Sequence, residues 1–293
     1  MRRLEYITLI VSIILLHSCM DDELWMNRNK PDISVEEFSK MHPVLILNEG
    51  NFMYGNSSLS VYDANTGEVL QDVFFRQNGA PLGDVAHSLT IEDGLLYVVI
   101  NNSGKIYILN YGKYPHLKMF DFIGKISGLN SPRYIHFLND SKAYISDIYD
   151  RGVSIYDASK GIISGRIDVD NHSGEFYQHP TEQFISYGDV VFSNCYSYDN
   201  KILVFDAASD RLIDSIQVLK QPGSMVKDKF DKIWVLCDGG YANSPYGDEE
   251  AGLVRLDAFT RTIERVFVFE SDDWPSALRI NASGDSIYFI NHN

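Results

Sequence analysis

Residues 131–157 decide the fold, and they read SPRYIHFLNDSKAYISDIYDRGVSIYD. A run rich in β-branched and aromatic residues, Tyr134 to Leu138, precedes the polar turn Asn139-Asp140-Ser141, and a second run covers Lys142 to Ser146. A polar loop follows, and then a third run that ends at Asp157. Short runs of this kind, separated by Asn, Asp and Gly, predict antiparallel β-strands joined by turns.

The pattern recurs along the chain. Full copies cover Leu96 to Asn110, Lys142 to Asp157, Asp189 to Asp206 and Lys232 to Asp257, and partial copies cover Val44 to Asp63 and Asp285 to Asn293. The aromatic residues that mark the equivalent strand are Tyr97, Tyr144, Phe192, Trp234 and Tyr288, at intervals of 47, 48, 42 and 54 residues. A repeat of this length with four strands is typical of a β-propeller. We therefore predict an all-β fold of four-stranded blades, with these aromatic residues at equivalent depths.

The remaining strand of each unit usually opens with proline, as at Pro132, Pro180, Pro222 and Pro275. Proline is tolerated at the first residue of a strand, and we place this strand innermost, beside the strand that carries the aromatic residue. The loops after the second strands and those leading into the inner strands then share one rim. Because the first copy lacks an inner strand and the last stops in its second strand, we expect an open ring, or a sequence without the C-terminal blades of a seven-bladed ring.

The N-terminal residues predict export. Arg2 and Arg3 precede an apolar run, Tyr6 to Leu16, and then Leu16-His17-Ser18-Cys19. This order predicts a lipoprotein signal peptide over residues 1–18 and lipidation of Cys19, with an ordinary signal peptide or a buried helix as the alternative. Residues 19–42 are interpreted as a lipidated acidic linker, and residues 43–293 as the propeller domain. Met20-Asp21-Asp22-Glu23 resembles the acidic tag that sends some lipoproteins to the outer face of the outer membrane, although a solvated linker has the same composition.

Charge and composition exclude several classes of protein. Lys and Arg total 25 against 40 Asp and Glu, a formal charge of −15 without a basic cluster, which excludes binding to nucleic acid backbones. The 45% hydrophobic content supports a globular core. Three cysteines exclude a disulfide scaffold and a four-cysteine zinc site.

The sequence predicts a protein that is not an enzyme. It contains no G-x-S-x-G turn, phosphate-binding glycine loop, H-E-x-x-H helix or paired C-x-x-C, and we assign no catalytic residue, cofactor or metal. His136 alternates as an inward strand residue and is interpreted as a core histidine. Cys195 and Cys237 occupy similar places in successive repeats and are interpreted as buried thiols, with a disulfide left open because the protein is exported.

The loops of the shared rim are rich in amides and aromatic rings. Such a surface stacks on a flat ligand and hydrogen-bonds around its edge without charge, although Asn, Gly and Tyr are also ordinary turn and strand residues. The candidate ligand-binding residues are Asn48, Phe52, Tyr54, Asn101, Asn102, Arg133, Tyr149, Arg151, Tyr196, Tyr198, Tyr241, Tyr246 and Trp274.

Several of these stretches resemble the YncE-like propeller lipoproteins, and within them the BtuG group. The resemblance covers Pro43 to Asn293. The motifs that carry it read LNEGNF at 47–52, NNSGKI at 101–106, SPRYI at 131–135, TEQ at 181–183, WVLCDGGY at 234–241 and SPYG at 244–247. The resemblance implies a seven-bladed surface lipoprotein that captures cobalamin and passes it to the TonB-dependent transporter BtuB.

The sequence thus favours a lipoprotein on the outer face of the outer membrane that binds a corrinoid, is attached to the membrane only through its lipid, and delivers the ligand to a BtuB-like transporter. One alternative is a surface binder of another nutrient, such as a glycan or haem. A second is a Ca²⁺-dependent propeller hydrolase or lactonase, because Glu49, Asn102, Asn194 and Asp238 offer the hard oxygen ligands that calcium prefers.

Overall fold

The computed structural model describes residues 34–170, 179–271 and 273–292. The predicted signal peptide, Cys19 and the first part of the predicted linker lie outside these residues. No helix in the described ranges is long and apolar enough to cross a membrane.

The described residues form six antiparallel sheets, which confirms the prediction of an all-β propeller. Sheet 1 contains β1 (Pro43–Asn48), β2 (Ser58–Asp63) and β3 (Val69–Leu70). Sheet 2 contains β4 (Ala86–Glu92), β5 (Leu95–Ile100), β6 (Lys105–Asn110) and β7 (Phe122–Ile126). Sheet 3 contains β8 (Pro132–Asn139), β9 (Lys142–Asp147), β10 (Gly152–Asp157) and β11 (Ile162–Asp168).

The remaining sheets repeat this order. Sheet 4 contains β12 (Thr181–Tyr187), β13 (Val190–Cys195), β14 (Lys201–Asp206) and β15 (Arg211–Gln217). Sheet 5 contains β16 (Pro222–Lys227), β17 (Lys232–Cys237), β18 (Gly252–Asp257) and β19 (Thr262–Val268). Sheet 6 contains β20 (Pro275–Ile280) and β21 (Ile287–Asn291). Four sheets are thus complete blades, and no strand pairing among the described residues joins sheet 6 to sheet 1.

The strands that open each unit are the innermost ones, as predicted. Strand β4 contacts β8, β8 contacts β12, β12 contacts β16, and β16 contacts β20. Side chains link neighbouring inner strands: Ser88 Oγ donates to Arg133 O at 2.6 Å, and Leu278 N donates to Ser224 Oγ at 3.1 Å. The inner strands therefore surround the propeller axis and fix the position of their first residues.

The core lies between the sheets, and the repeated aromatic residues fill it. Tyr144 packs with Phe184 and Val191 of sheet 4, and Phe192 packs with Met225 and Ile233 of sheet 5. Tyr97, in the same way, packs against sheet 3. These three aromatic residues are similarly buried, whereas Trp234 and Tyr288 depart from the predicted equivalence of all five. Trp234 is half-buried against sheet 6, and Tyr288 is 59% exposed because no described sheet packs on its face of sheet 6.

Two rims bound the blades, and hydrogen bonds define each of them. We call the loop rim the loops at 49–57, 101–104, 148–151, 196–200 and 238–251, together with those that lead into the inner strands. Ile148 N donates to Ser131 O at 3.1 Å, and Asn101 N donates to Val85 O at 2.8 Å, so both loop sets share this rim, as predicted. We call the turn rim the turns at 140–141, 158–161, 188–189, 207–210, 228–231 and 258–261. There Ala158 N donates to Ser141 O at 2.9 Å.

Two short helices, α1 (Val35–Ser39) and α2 (Val73–Asn78), interrupt the β structure. Helix α1 lies within the predicted linker of residues 19–42. Its N-terminus has a capping box, in which Glu37 N donates to Ser34 Oγ at 3.1 Å. Phe38 is buried, with its ring centroid 5.4 Å from that of Phe120. Among the described residues, folded structure therefore begins before Pro43, within the segment predicted as a linker.

Candidate functional site

Each inner strand has an irregularity near its start, on the loop rim. The strand register shifts between Ala86 and Ser88 and between Pro222 and Ser224, and β8, β12 and β20 shift within their first residues as well. Such bulges redirect a side chain away from the regular alternation. The second residues of the five inner strands all line one cleft at the axis; they are His87, Arg133, Glu182, Gly223 and Ser276.

A charged network forms one wall of this cleft. Arg133 Nε donates to Glu182 Oε1 at 2.6 Å, and His87 Nε2 lies 3.5 Å from Glu182 Oε2. The Glu182 side chain is 4% exposed, and those of Arg133 and His87 are 18% exposed. His87 Nε2 is buried without a hydrogen-bond partner in the described structure. A buried charged pair is tolerated when its geometry is good. In addition to the Arg133–Glu182 hydrogen bond, this wall of the cleft offers further hydrogen-bond donors and acceptors.

The cleft has a volume of about 260 Å³. Tyr196, Asp238 and Trp274 line its outer part. Gly223 contributes no side chain, and a Cβ atom at this position would meet only ordinary contacts, the closest being ring atoms of Tyr196 at 3.8 Å. The absence of a side chain at Gly223 therefore leaves room in the cleft.

Tyrosines from two adjacent loops extend the cleft across the loop rim. The ring centroid of Tyr198 lies 5.3 Å from that of Tyr241 and 5.1 Å from that of Tyr246, and Tyr196 Oη lies 3.4 Å from Tyr241 Oη. Tyr241 is 40% exposed and Trp274 is 60% exposed. The structure thus brings together six of the predicted residues, namely Arg133, Tyr196, Tyr198, Tyr241, Tyr246 and Trp274.

The other seven predicted residues lie on the same rim and, like Tyr198, Tyr241 and Tyr246, are not among the residues that line the cleft itself. Asn101 Nδ2 donates to Pro132 O at 3.0 Å, and Asn48 Nδ2 donates to Ser58 Oγ at 3.0 Å, so both amides connect parts of the propeller itself. Asn102 Nδ2 donates to Asp84, and Arg151 pairs with Asp170 at 3.1 Å. The remaining three, Phe52, Tyr54 and Tyr149, are exposed on their loops.

Burial raises the pKa of three groups that line the cleft, Tyr134, Tyr196 and Asp238. Burial raises the pKa of Tyr196 above its usual value, and the hydrogen bond with Tyr241 adds to this effect. Burial also raises the pKa of Asp238, although Gly240 N donates to its carboxylate at 2.9 Å and Gln221 Nε2 donates at 3.0 Å. Tyr196 therefore keeps its proton and remains a donor at neutral pH.

The histidines and cysteines away from the cleft have structural contacts. His136 is half-buried and its Nε2 lies 2.6 Å from Ser186 Oγ, and burial lowers its pKa to about 4, which agrees with the predicted core histidine. Cys195 and Cys237 are free buried thiols, as predicted. Cys195 lies near His179 and Asp199, with the potential ligand atoms of all three within 4.8 Å of one another. His179 Nδ1 lies 2.7 Å from Asp199 Oδ2, a contact that links two loops of sheet 4.

Three of the four side chains suggested for calcium, Asn102, Asn194 and Asp238, form hydrogen bonds within the protein. Asn194 Oδ1 accepts from Gln183 N at 2.9 Å while its amide nitrogen donates to Pro222 O. Asn102 bonds Asp84, and Asp238 bonds Gln221 and Gly240. Asn194 lies in β13, and Asn102 and Asp238 lie in loops of two other sheets, so these contacts give no support to the calcium hypothesis.

Among the cleft residues that sequence reasoning missed, four share one position in the inner strands: His87, Glu182, Gly223 and Ser276. They follow the first residue of four different inner strands, and Arg133 holds the same position in β8. Aligning the repeats on the first residue of each inner strand places them in one column, whereas aligning them on the proline does not, because Glu182 lies two residues after Pro180 and β4 begins with Ala86. Because the residue types differ, the feature that these residues share in the sequence is their position in the repeat.

Comparisons with known proteins agree with the fold. Hydrazine synthase from Kuenenia stuttgartiensis is similar in structure, with a TM-score of 0.62 over 93% of this chain and 75% of that chain, at 14% sequence identity. At that identity the likeness shows the fold alone. No curated protein matches the chain. The model of the family described as "Domain of unknown function (DUF5074)" matches residues 43–293, and the chain therefore belongs to the DUF5074 family.

Proposed function

We propose that this protein is a surface lipoprotein that captures a corrinoid such as cobalamin and delivers it to a TonB-dependent transporter of the outer membrane, without catalysing a reaction. The observation that carries the proposal is the group of aromatic rings around the axial cleft, Tyr196, Tyr198, Tyr241, Tyr246 and Trp274. A cobalamin is a large flat ring edged with amides. Stacking on tyrosine and tryptophan faces, with hydrogen bonds at the edge, suits such a ligand.

The dimensions suggest how a corrinoid would be held. The cleft of about 260 Å³ is much smaller than a corrinoid, so the macrocycle lies across the exposed rings of Tyr241 and Trp274 while one of its peripheral groups enters the cleft. Many moderate contacts then share the binding energy, since a stacked aromatic pair contributes about 0.5–1.5 kcal/mol beyond area burial.

A glycan or haem is the second candidate, because exposed tyrosine and tryptophan rings also stack on sugars and porphyrins. Calorimetric titration with cyanocobalamin, haemin and an oligosaccharide panel separates these ligands. We expect saturable binding of cyanocobalamin that a chelator does not change. Absence of cyanocobalamin binding together with binding of another panel member would transfer the proposal to that ligand.

A combined variant tests the position of the site. We expect Tyr198→Ala, Tyr246→Ala and Trp274→Ala together to abolish cyanocobalamin binding, because their ring contacts are lost at once. The matched control is Phe259→Ala, which removes an aromatic ring that is 76% exposed on the turn rim. Full affinity in the combined variant, with folding confirmed by circular dichroism, would place the site elsewhere.

Surface location rests on Cys19, which lies outside the described residues. We expect Cys19→Ala to release the protein from membranes, because the lipid is the proposed attachment. Protease treatment of intact cells should degrade the wild-type protein, and resistance to the protease would contradict exposure at the cell surface.

A further inference from the structure

The wall of the axial cleft carries a donor and an acceptor that the protein itself does not use. Glu182 Oε1 accepts from Arg133 Nε, whereas Glu182 Oε2 receives no hydrogen bond from a described residue. His87 Nε2, at 3.5 Å, is beyond hydrogen-bond distance from Oε2. The two Nη groups of Arg133 likewise have no acceptor among the described residues. His87 Nε2 is buried without a hydrogen-bond partner in the described part of the chain, and buried polar groups are normally paired. This wall therefore has hydrogen-bonding groups that the described residues do not satisfy.

The charges of the cleft limit what that partner is. Arg133 and Glu182 largely neutralise each other at 2.6 Å, and Asp238 lines the cleft as a second carboxyl group. An anionic group in the cleft would meet the charge of Glu182 in a poorly solvated place, and a cationic group would meet that of Arg133. A neutral polar group avoids both costs.

A primary carboxamide has the matching pattern of hydrogen-bond groups. Its carbonyl oxygen accepts and its adjacent amide nitrogen donates, whereas Arg133 offers Nη–H donors next to the free acceptor on Glu182. Both hydrogen bonds involve a charged protein group, and such bonds are stronger than those between neutral groups. We infer that the axial cleft binds a primary carboxamide of the ligand, held between the guanidinium of Arg133 and the carboxylate of Glu182.

The neighbouring positions fit this role. Gly223 has no side chain to block the entrance, and His87 places a buried nitrogen beside Glu182. Trp274 stands at the mouth of the cleft with most of its ring exposed. The inference rests on the proposed function only in placing the ligand at this cleft. It adds that a corrinoid inserts one of its peripheral carboxamides.

The experiment uses small probes that contain the group alone. The full chain is labelled with 5-fluorotryptophan, the signal of Trp274 is assigned with Trp274→Phe, and fluorine NMR follows titrations with propionamide and propionate at pH 7. We expect propionamide to shift the Trp274 signal in a saturable way, with an affinity at least about tenfold higher than that of propionate, a difference of about 1.4 kcal/mol.

Two variants test the named residues. Gly223→Leu should abolish the response to propionamide by filling the cleft, and Arg133→Lys should weaken it by removing the paired Nη donors while keeping the charge. The control is Gly124→Leu on β7, where a Cβ atom has no neighbour within 4 Å. An equal or stronger response to propionate would overturn the inference. So would an unchanged propionamide response in Gly223→Leu, or no response of Trp274 to either probe.

The same variants separate this inference from the proposed function. If Trp274 responds to propionamide as expected while the wild-type protein does not bind cyanocobalamin, the carboxamide site stands and the corrinoid proposal fails. If cyanocobalamin binds equally well to wild type and Gly223→Leu, and propionamide gives no response, corrinoid capture stands and the carboxamide site fails.

Discussion

The two rims are formed by the same strands but use their polar groups differently. On the turn rim, Asp157 accepts hydrogen bonds from Ser159 Oγ, Lys160 N and Lys160 Nζ, and Asp257 accepts from Thr260 and Lys232. On the loop rim, Arg133 and Glu182 keep a donor and an acceptor without partners among the described residues. The two aspartates on the turn rim thus have partners within the protein, whereas this pair on the loop rim keeps a donor and an acceptor that the described residues do not use.

The pKa values of carboxyl groups also differ between the two rims. Hydrogen bonding with Lys160 lowers the pKa of Asp157 to about 2, and hydrogen bonding with Lys232 lowers that of Asp257 to about 2. On the loop rim, burial raises the pKa of Asp147 and Asp238. Carboxylates on the turn rim therefore stabilise the fold in their ionised form, whereas on the loop rim burial disfavours the ionised form.

The largest expected effect comes from breaking the charged pair of the cleft. Glu182→Ala leaves the mostly buried Arg133 without its partner, and we expect the free energy of unfolding to fall by about 3 kcal/mol. Lys160→Ala breaks an exposed pair on the turn rim and should cause a much smaller loss, because exposed pairs contribute little to stability. Urea denaturation measures both, and a loss in Glu182→Ala no greater than that in Lys160→Ala would remove the energetic contrast between the rims.

An intermediate effect is expected for one ring of the loop rim. Tyr198→Ala removes the central tyrosine of the group, and we expect cyanocobalamin affinity to fall by about tenfold to a hundredfold with stability unchanged. Calorimetric titration with cyanocobalamin measures the affinity of Tyr198→Ala, and Phe259→Ala is the matched control. Equal losses in the two variants would mean that the turn rim contributes to binding as well.

The smallest expected effect concerns the pH dependence of stability. Substitutions on the two rims should change that dependence in opposite directions. The native pKa of Asp157 is lowered from 3.8 to about 2, so its stabilisation is present above pH 3.8 and is lost as pH falls toward about 2. Asp157→Asn should therefore make the loss of stability in acid less steep. Asp238 has a raised native pKa and takes up its proton more readily when folded, so Asp238→Asn should make that loss steeper.

Urea midpoints between about pH 5 and pH 2.5 test this difference, with the wild-type protein as reference. Slopes that change in the same direction for both variants would contradict the contrast in titration.

The propeller was predictable because its signal is repeated. The aromatic residues at Tyr97, Tyr144, Phe192 and Trp234 mark the strand that packs between successive sheets, and each copy reinforces the others. Helix α1 was missed, although Ser34 and Glu37 carry the spacing of a capping box. Its stability depends on Phe38 packing on residues far along the chain, which a local pattern does not reveal.

The aromatic rings of the candidate site and Arg133 were predictable from the sequence, whereas Glu182 and Gly223 were not. Tyr196, Tyr198, Tyr241 and Tyr246 lie in loops whose position follows from the order of strands. Glu182 is in a strand, and its contact with Arg133 depends on the packing of neighbouring inner strands and on the bulges at their starts. Gly223 contributes to the cleft because it has no side chain, and the amino-acid composition does not reveal such a contribution.

Hydrogen exchange followed by mass spectrometry tests most directly the claim that ligand capture belongs to the loop rim. Exchange of the full-length protein is compared with and without saturating cyanocobalamin. The account predicts slower exchange in peptides covering residues 196–200 and 238–251, and unchanged exchange in those covering 158–161 and 207–210. Protection of the turn-rim peptides, with the loop-rim peptides unchanged, would contradict it.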